Sequence, residues 1–227
     1  RGATGSRGPV GVTGVAGPYA GGVGYEPEYG VILPANVNLT AGRDIHVQHN
    51  FTIAPSGSGG LNLSAGRDIN GGYSDYGNYA AAALVMSDVA PEEVYGQKGL
   101  DPSVIADASQ DLIHLGDEGQ EADKDPITIT AGGDIHDLKL LLPASARIIA
   151  GNDIHDFYVS GQNLPHKGST DAASLIKAGN DIILSTINLS NTYQTGIIWG
   201  GPGTLVVQAG NNLDLGNTSG IQTMGNL

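Results

Sequence analysis

One pentapeptide, Ala-Gly-x-Asp/Asn-Ile/Leu, occurs six times in this chain and constrains its fold more than any other feature. The copies are Ala41-Gly42-Arg43-Asp44-Ile45, Ala65-Gly66-Arg67-Asp68-Ile69 and Ala131-Gly132-Gly133-Asp134-Ile135. They continue as Ala150-Gly151-Asn152-Asp153-Ile154, Ala178-Gly179-Asn180-Asp181-Ile182 and Ala209-Gly210-Asn211-Asn212-Leu213. Successive alanines are 24, 66, 19, 28 and 31 residues apart. A short motif returning at coil-length intervals is the mark of a solenoid, whose repeats bury their apolar faces only against their neighbours.

Alternating apolar residues precede the motif, as in Val37-x-Leu39, Leu61-x-Leu63 and Ile127-x-Ile129. Period-two alternation means a strand with one face inward. The expectation at each corner is that glycine supplies a backbone angle forbidden to a Cβ, at Gly42, Gly66, Gly132, Gly151, Gly179 and Gly210. Asp44, Asp68, Asp134, Asp153, Asp181 and Asn212 would then bond to the adjacent backbone. Ile45, Ile69, Ile135, Ile154, Ile182 and Leu213 would form one buried ladder. The interval of 66 residues calls for degenerate coils or an insertion; residues 70–126 are assigned mainly to an insertion, with Ala80–Met86 as a short helix and Ala90-Pro91-Glu92-Glu93 starting another turn. The expected fold is an all-β, right-handed parallel β-helix over 31–227. Its handedness is taken from the usual sense of parallel crossovers.

Gly2, Gly5, Gly8, Gly11, Gly14 and Gly17 form six consecutive Gly-X-Y triplets. This strict period points to polyproline II strands, whose usual home is the collagen triple helix, because only glycine fits at the crowded axis. The alternative is a glycine-rich linker. Residues 1–19 are therefore read as a collagen-like segment that ties subunits together, and 20–30 as a glycine-rich joint.

Composition narrows the function. The 227 residues hold 36 glycines, 5% aromatics and no cysteine, which suits a narrow aliphatic solenoid and excludes disulfides and thiolate metal sites. A net charge of −13 argues against nucleic acid and against adsorption to anionic membranes. No apolar run approaches the roughly 18 residues of a transmembrane helix. No signal peptide is visible, and Arg1-Gly2 is read as the start of a piece of something longer.

The corner motif, the run Gly200-Gly201-Pro202-Gly203-Thr204-Leu205-Val206-Val207-Gln208-Ala209-Gly210 and the stretch Asp214–Ile221 together resemble the filamentous-haemagglutinin family of large bacterial exoproteins. Ile45-His46, Ile135-His136 and Met86-Ser87-Asp88 fit the same group. The resemblance covers residues 31–227 and implies secretion by the two-partner route, an extracellular or surface-attached β-helical rod, and adhesion without catalytic residues. Expected partners are other copies of the chain and cell-surface glycans or proteins.

Two clusters invite chemistry. His136-Asp137 and His155-Asp156 follow consecutive corners, so the imidazoles would stack about 4.8 Å apart. Stacked His and Asp are candidate ligands for a divalent metal, set against a plain surface ladder of like side chains. Asp117, Glu118, Glu121, Asp123 and Asp125 crowd one loop whose oxygens suit Ca2+, although the spacing is not that of an EF-hand. No Gly-x-Ser-x-Gly motif is present, and no phosphate loop. The competing reading is a carbohydrate-binding or polysaccharide-cleaving β-helix, with Tyr73, Tyr76, Tyr79 and Tyr95 stacking on sugars and a carboxylate pair for hydrolysis.

Overall fold

The computed structural model describes residues 31–75, 78–89, 127–163, 173–184, 196–201 and 203–225. The Gly-X-Y run, the joint, Ala90–Glu93, the acidic loop with its Ca2+ assignment, Tyr76 and Tyr95 lie outside them.

After strand β1 (Val31–Leu33) the chain repeats a three-stranded coil six times. The first coil is β2 (Asn36–Ala41), β3 (Ile45–His46) and β4 (Phe51–Ile53). The second is β5 (Gly60–Ala65), β6 (Ile69–Asn70) and β8 (Asn78–Val85), with β7 (Gly72–Asp75) antiparallel to β8. The third is β9 (Ile127–Ala131), β10 (Ile135–His136) and β11 (Leu138–Leu141), and the fourth β12 (Ala146–Ala150), β13 (Ile154–His155) and β14 (Tyr158–Gln162). The fifth is β15 (Ala173–Ala178), β16 (Ile182–Ile183) and β17 (Gly196–Gly200), and the sixth β18 (Thr204–Ala209), β19 (Leu213–Asp214) and β20 (Ile221–Gly225).

Each coil places one strand on each of three parallel faces. The first face stacks β2, β5, β9, β12, β15 and β18; the second stacks β3, β6, β10, β13, β16 and β19. The third runs β1, β4, β8, β11, β14, β17, β20. Every pentapeptide turns the chain from the first face to the second, so there is one motif per coil. Register is exact in the repeat: Ala41, Ala65, Ala131, Ala150, Ala178 and Ala209 are successive partners. This architecture is a parallel β-helix.

The interval of 66 residues contains no extra coil between its neighbours, because β5 pairs directly with β9 and Ser64 faces Thr130. Its first part, however, belongs to the stack. Ala80–Val85, expected as a helix, lies in β8, and no helix occurs among the described residues. Alanine favours helices in isolation, but tertiary pairing overrides such a preference. Here β8 is held between β4 and β11, and Ala82 supplies the small partner for Leu138, both fully buried.

The core is a set of side-chain ladders packed inside the coils. Ile69, Ile135, Ile154 and Ile182 pair in sequence at the second face and are fully buried. Ile45 and Leu213 complete that ladder at its ends; Leu213 is 46% exposed, since no further coil covers it among the described residues. Among the described residues the core holds a polar knot around Asn163. Asn163 Oδ1 accepts from Ser174 Oγ at 2.6 Å and from Trp199 Nε1 at 2.9 Å, while Ser174 Oγ accepts from the Ala146 amide at 3.1 Å. Trp199 lies across Gly161, where any Cβ would meet the indole ring. These bonds satisfy polar groups that burial would otherwise penalise.

Candidate functional site

The most organised polar feature is the corner between the first and second faces. Its glycines are present for a different reason from the one expected: none of the six has positive φ. A Cβ on Gly66 would fall on the carbonyl oxygen of Gly42, and one on Gly132 on that of Gly66. The same holds for Gly151 over Gly132, Gly179 over Gly151 and Gly210 over Gly179. Close approach of successive coils, not the turn angle, demands glycine. Only at Gly42, in the first coil, is the space open.

The acidic residues likewise bond between coils. Asp44 Oδ1 accepts the amide of Asp68 at 3.3 Å, and Asp68 Oδ1 that of Asp134 at 2.9 Å. Asp134 Oδ1 accepts from Asp153 at 2.9 Å, Asp153 Oδ1 from Asp181 at 2.8 Å, and Asp181 Oδ1 from Asn212 at 2.8 Å. Five carboxylates thus stand in file, about 4.8 Å apart by the spacing of paired strands. Extra donors offset their mutual repulsion. Asn152 Nδ2 donates to Asp134 at 2.8 Å, Asn180 Nδ2 to Asp153 at 2.9 Å and Asn212 Nδ2 to Asp181 at 3.0 Å. Arg67 does the same for Asp44 with both Nε and Nη2, and its hydrogen bonds hold the Asp44 carboxyl down at about 2.

Beside this file stand the two paired imidazoles. His136 and His155 are register partners whose rings stack with centroids 4.8 Å apart and planes within 8°. Asp137 and Asp156 adopt left-handed φ of 57° and 52°, a conformation Asp tolerates better than most residues. Each is an added residue. In the first and fifth coils the position after the short strand enters the core, as Val47 and Leu184 do; here the next residues, Leu138 and Phe157, take that place. The bulge turns each carboxylate back on its own histidine, Nδ1 to Oδ2 2.7 Å for His136 and 3.2 Å for His155. The bond from Asp137 raises the pKa of His136 above its ordinary value, and partial burial opposes it.

Parallel rings set their nitrogens side by side instead of converging on one point. Among the described residues no three His, Asp or Glu side chains are grouped to hold a metal ion; His136, His155, Asp137 and Asp156 form two separate pairs. On the third face Lys139 Nζ lies 5.4 Å from the ring centre of its register partner Tyr158, a cation–π contact. Sequence reasoning did not find the side-chain donors that serve Asp44, Asp134 and Asp153. The signal was there: Arg67, Asn152 and Asn180 all occupy the variable position of the motif, one coil after the acid they serve.

No helix among the described residues is long and apolar enough to cross a membrane. Compared with protein-family models, curated proteins and solved structures, the chain finds no match.

Proposed function

We propose that the chain is a structural and adhesive segment of an extracellular β-helical exoprotein, a stiff rod that associates with further copies of itself into fibres. The observation that supports this reading most is the corner file, in which glycine contacts, amides and carboxylates all act between coils. Side chains that elsewhere would build a reactive site are here committed to stacking. The resemblance of residues 31–227 to filamentous haemagglutinins points the same way, and surface glycans or proteins are the partners it implies.

The test is electron microscopy of the concentrated protein together with incubation on plant and bacterial polysaccharides. Thin filaments and no new reducing ends or unsaturated products are expected. Sustained release of sugar products would replace this reading with the polysaccharide-cleaving one.

A further inference from the structure

We propose that the outer surface of the third face, over coils one to three, is a docking surface whose occupant is the chain's own segment 90–126. This goes beyond the rod reading and holds for a single copy, whether or not copies associate.

The parallel pairing supplies an internal comparison. On each face alternate strand residues point into the coil and the others point out. On the first face the outward row Ser64, Thr130, Ile149 and Lys177 is only half-buried, although each of these residues has register neighbours on both sides. Stacking alone therefore leaves an outward side chain partly open to water. The third face has the equivalent row Ile32, Thr52, Val85, Leu141, Ser160 and Ile198. This row is outward because the adjacent one, Leu84, Leu140, Val159 and Ile197, fills the core. Yet Thr52 and Val85 are only 2% exposed and Leu141 8%. Ile32 at one end of the row, and Ser160 and Ile198 at the other, are again only half-buried. Burial of that depth on an outward row requires a second layer over coils one to three.

Three features of the chain assign that layer to residues 90–126. The segment begins and ends inside the buried zone: it follows β8 of coil two through the buried Ser87 and Val89, and it rejoins the stack at β9 of coil three. Its length exceeds what that step needs. In coil three, residues 142–145 alone carry the chain around the same corner from β11 to β12, so nearly all of 90–126 is surplus to the connection. Its composition suits an apolar bed, since Val94, Leu100, Val104, Ile105, Leu112 and Ile113 gain by leaving water against Val85 and Leu141. Residues 1–30 join the same face at β1 but hold no leucine or isoleucine, and the row is more exposed at Ile32 in β1 than at Val85 in β8. The burial is centred on the strand that 90–126 continues. Docking there withdraws the third face of coils one to three from any surface partner and leaves the first and second faces to meet one.

The test uses the full chain, which has no native cysteine. A benzophenone maleimide on Ser160→Cys, the half-buried register partner of Leu141, is irradiated in dilute solution and the cross-linked peptides are identified by mass spectrometry. Cross-links to residues 90–126 of the same molecule are expected. Cross-links confined to residues 1–30 or 185–195, or no cross-link at all, would overturn the proposal, and links between molecules would overturn it in favour of a second copy. The same label on Lys177→Cys, on the first face, should capture no peptide from 90–126; capture there would show that the segment has no fixed place and would also overturn it. Thiol labelling gives a second readout. Leu141→Cys should react about tenfold or more slowly than Ile149→Cys on the first face, because access governs thiol reactivity. Replacing 90–126 by a short Gly-Ser linker should bring the two rates together. A Leu141→Cys that stays slow without the segment would overturn the proposal; if the deletion fails to fold, the cross-link in the full chain still decides.

Discussion

At the scale of single residues, the six corner glycines are identical in sequence and unequal in cost. Gly151→Ala drives a methyl group into the Gly132 carbonyl, which belongs to backbone and cannot swing aside. Overpacking of that kind costs about 1–3 kcal/mol. Gly42→Ala meets nothing and has no positive φ, so it should leave stability unchanged or raise it by about 0.4–1 kcal/mol through the unfolded chain. Urea unfolding of the two variants checks this directly; equal losses would mean that the turn angle, not the stacking, is what requires glycine. The sequence displayed the motif but not this reason for it, because a clash between coils involves residues 19 to 66 positions apart and leaves no local trace.

Titration at the corner belongs to the same scale. His136 has a folded pKa above its ordinary value of 6.5 because it is hydrogen-bonded to Asp137. Its contribution to stability is therefore fully present below about pH 6.5 and fades as pH rises through the folded value. Asp44 works in the opposite sense, since its folded value of about 2 lies below the ordinary 3.8: its contribution is present above pH 3.8 and lost as pH falls toward 2. Chemical denaturation should thus show wild-type stability declining as pH rises above about 6.5, and Asp137→Asn should flatten that decline. A wild-type profile that rises across this window would contradict the His136–Asp137 assignment.

Among the elements, the two-residue strands of the second face carry a large share of the core despite their length. Ile154 sits between Ile135 and Ile182, all three fully buried. Ile154→Asp would bury an unpaired charge in an aliphatic stack and should cost several kcal/mol, read as a fall in melting temperature or outright failure to fold. Leu213→Asp, in the half-exposed terminal coil, should cost far less. Equal effects would refute the register. This ladder was legible because its residues recur at a fixed offset from the glycine. β8 was not, since a run of four alanines has no alternation to reveal and its strand character comes from tertiary pairing, Ala82–Val85 with Leu138–Leu141 and Leu84–Val85 with Phe51–Thr52. The bulged Asp137 and Asp156 were visible as a repeated Ile-His-Asp, whereas their left-handed backbone, which sends the carboxylate onto its own imidazole, depends on where Leu138 and Phe157 find core space.

For the whole molecule, a net charge of −13 opposes the meeting of two copies. Screening shortens the reach of that repulsion from about 10 Å at 0.1 M salt to about 3 Å at 1 M. The proposed self-association, measured by light scattering, should therefore increase with salt, and a decrease would show that ion pairs hold the copies together. The single molecule stands or falls on a simpler claim, that every motif marks one coil and that the second coil lies directly on the third across 66 residues of chain. Ser64 and Thr130 are register partners in that step. In a Ser64→Cys, Thr130→Cys variant, oxidised while dilute, the two sulfurs should close an intramolecular disulfide in nearly every molecule, because paired strands lie about 4.8 Å apart. If even one coil intervened, the positions would be about 9.6 Å apart, no bridge would close, and the six-coil stack would be wrong.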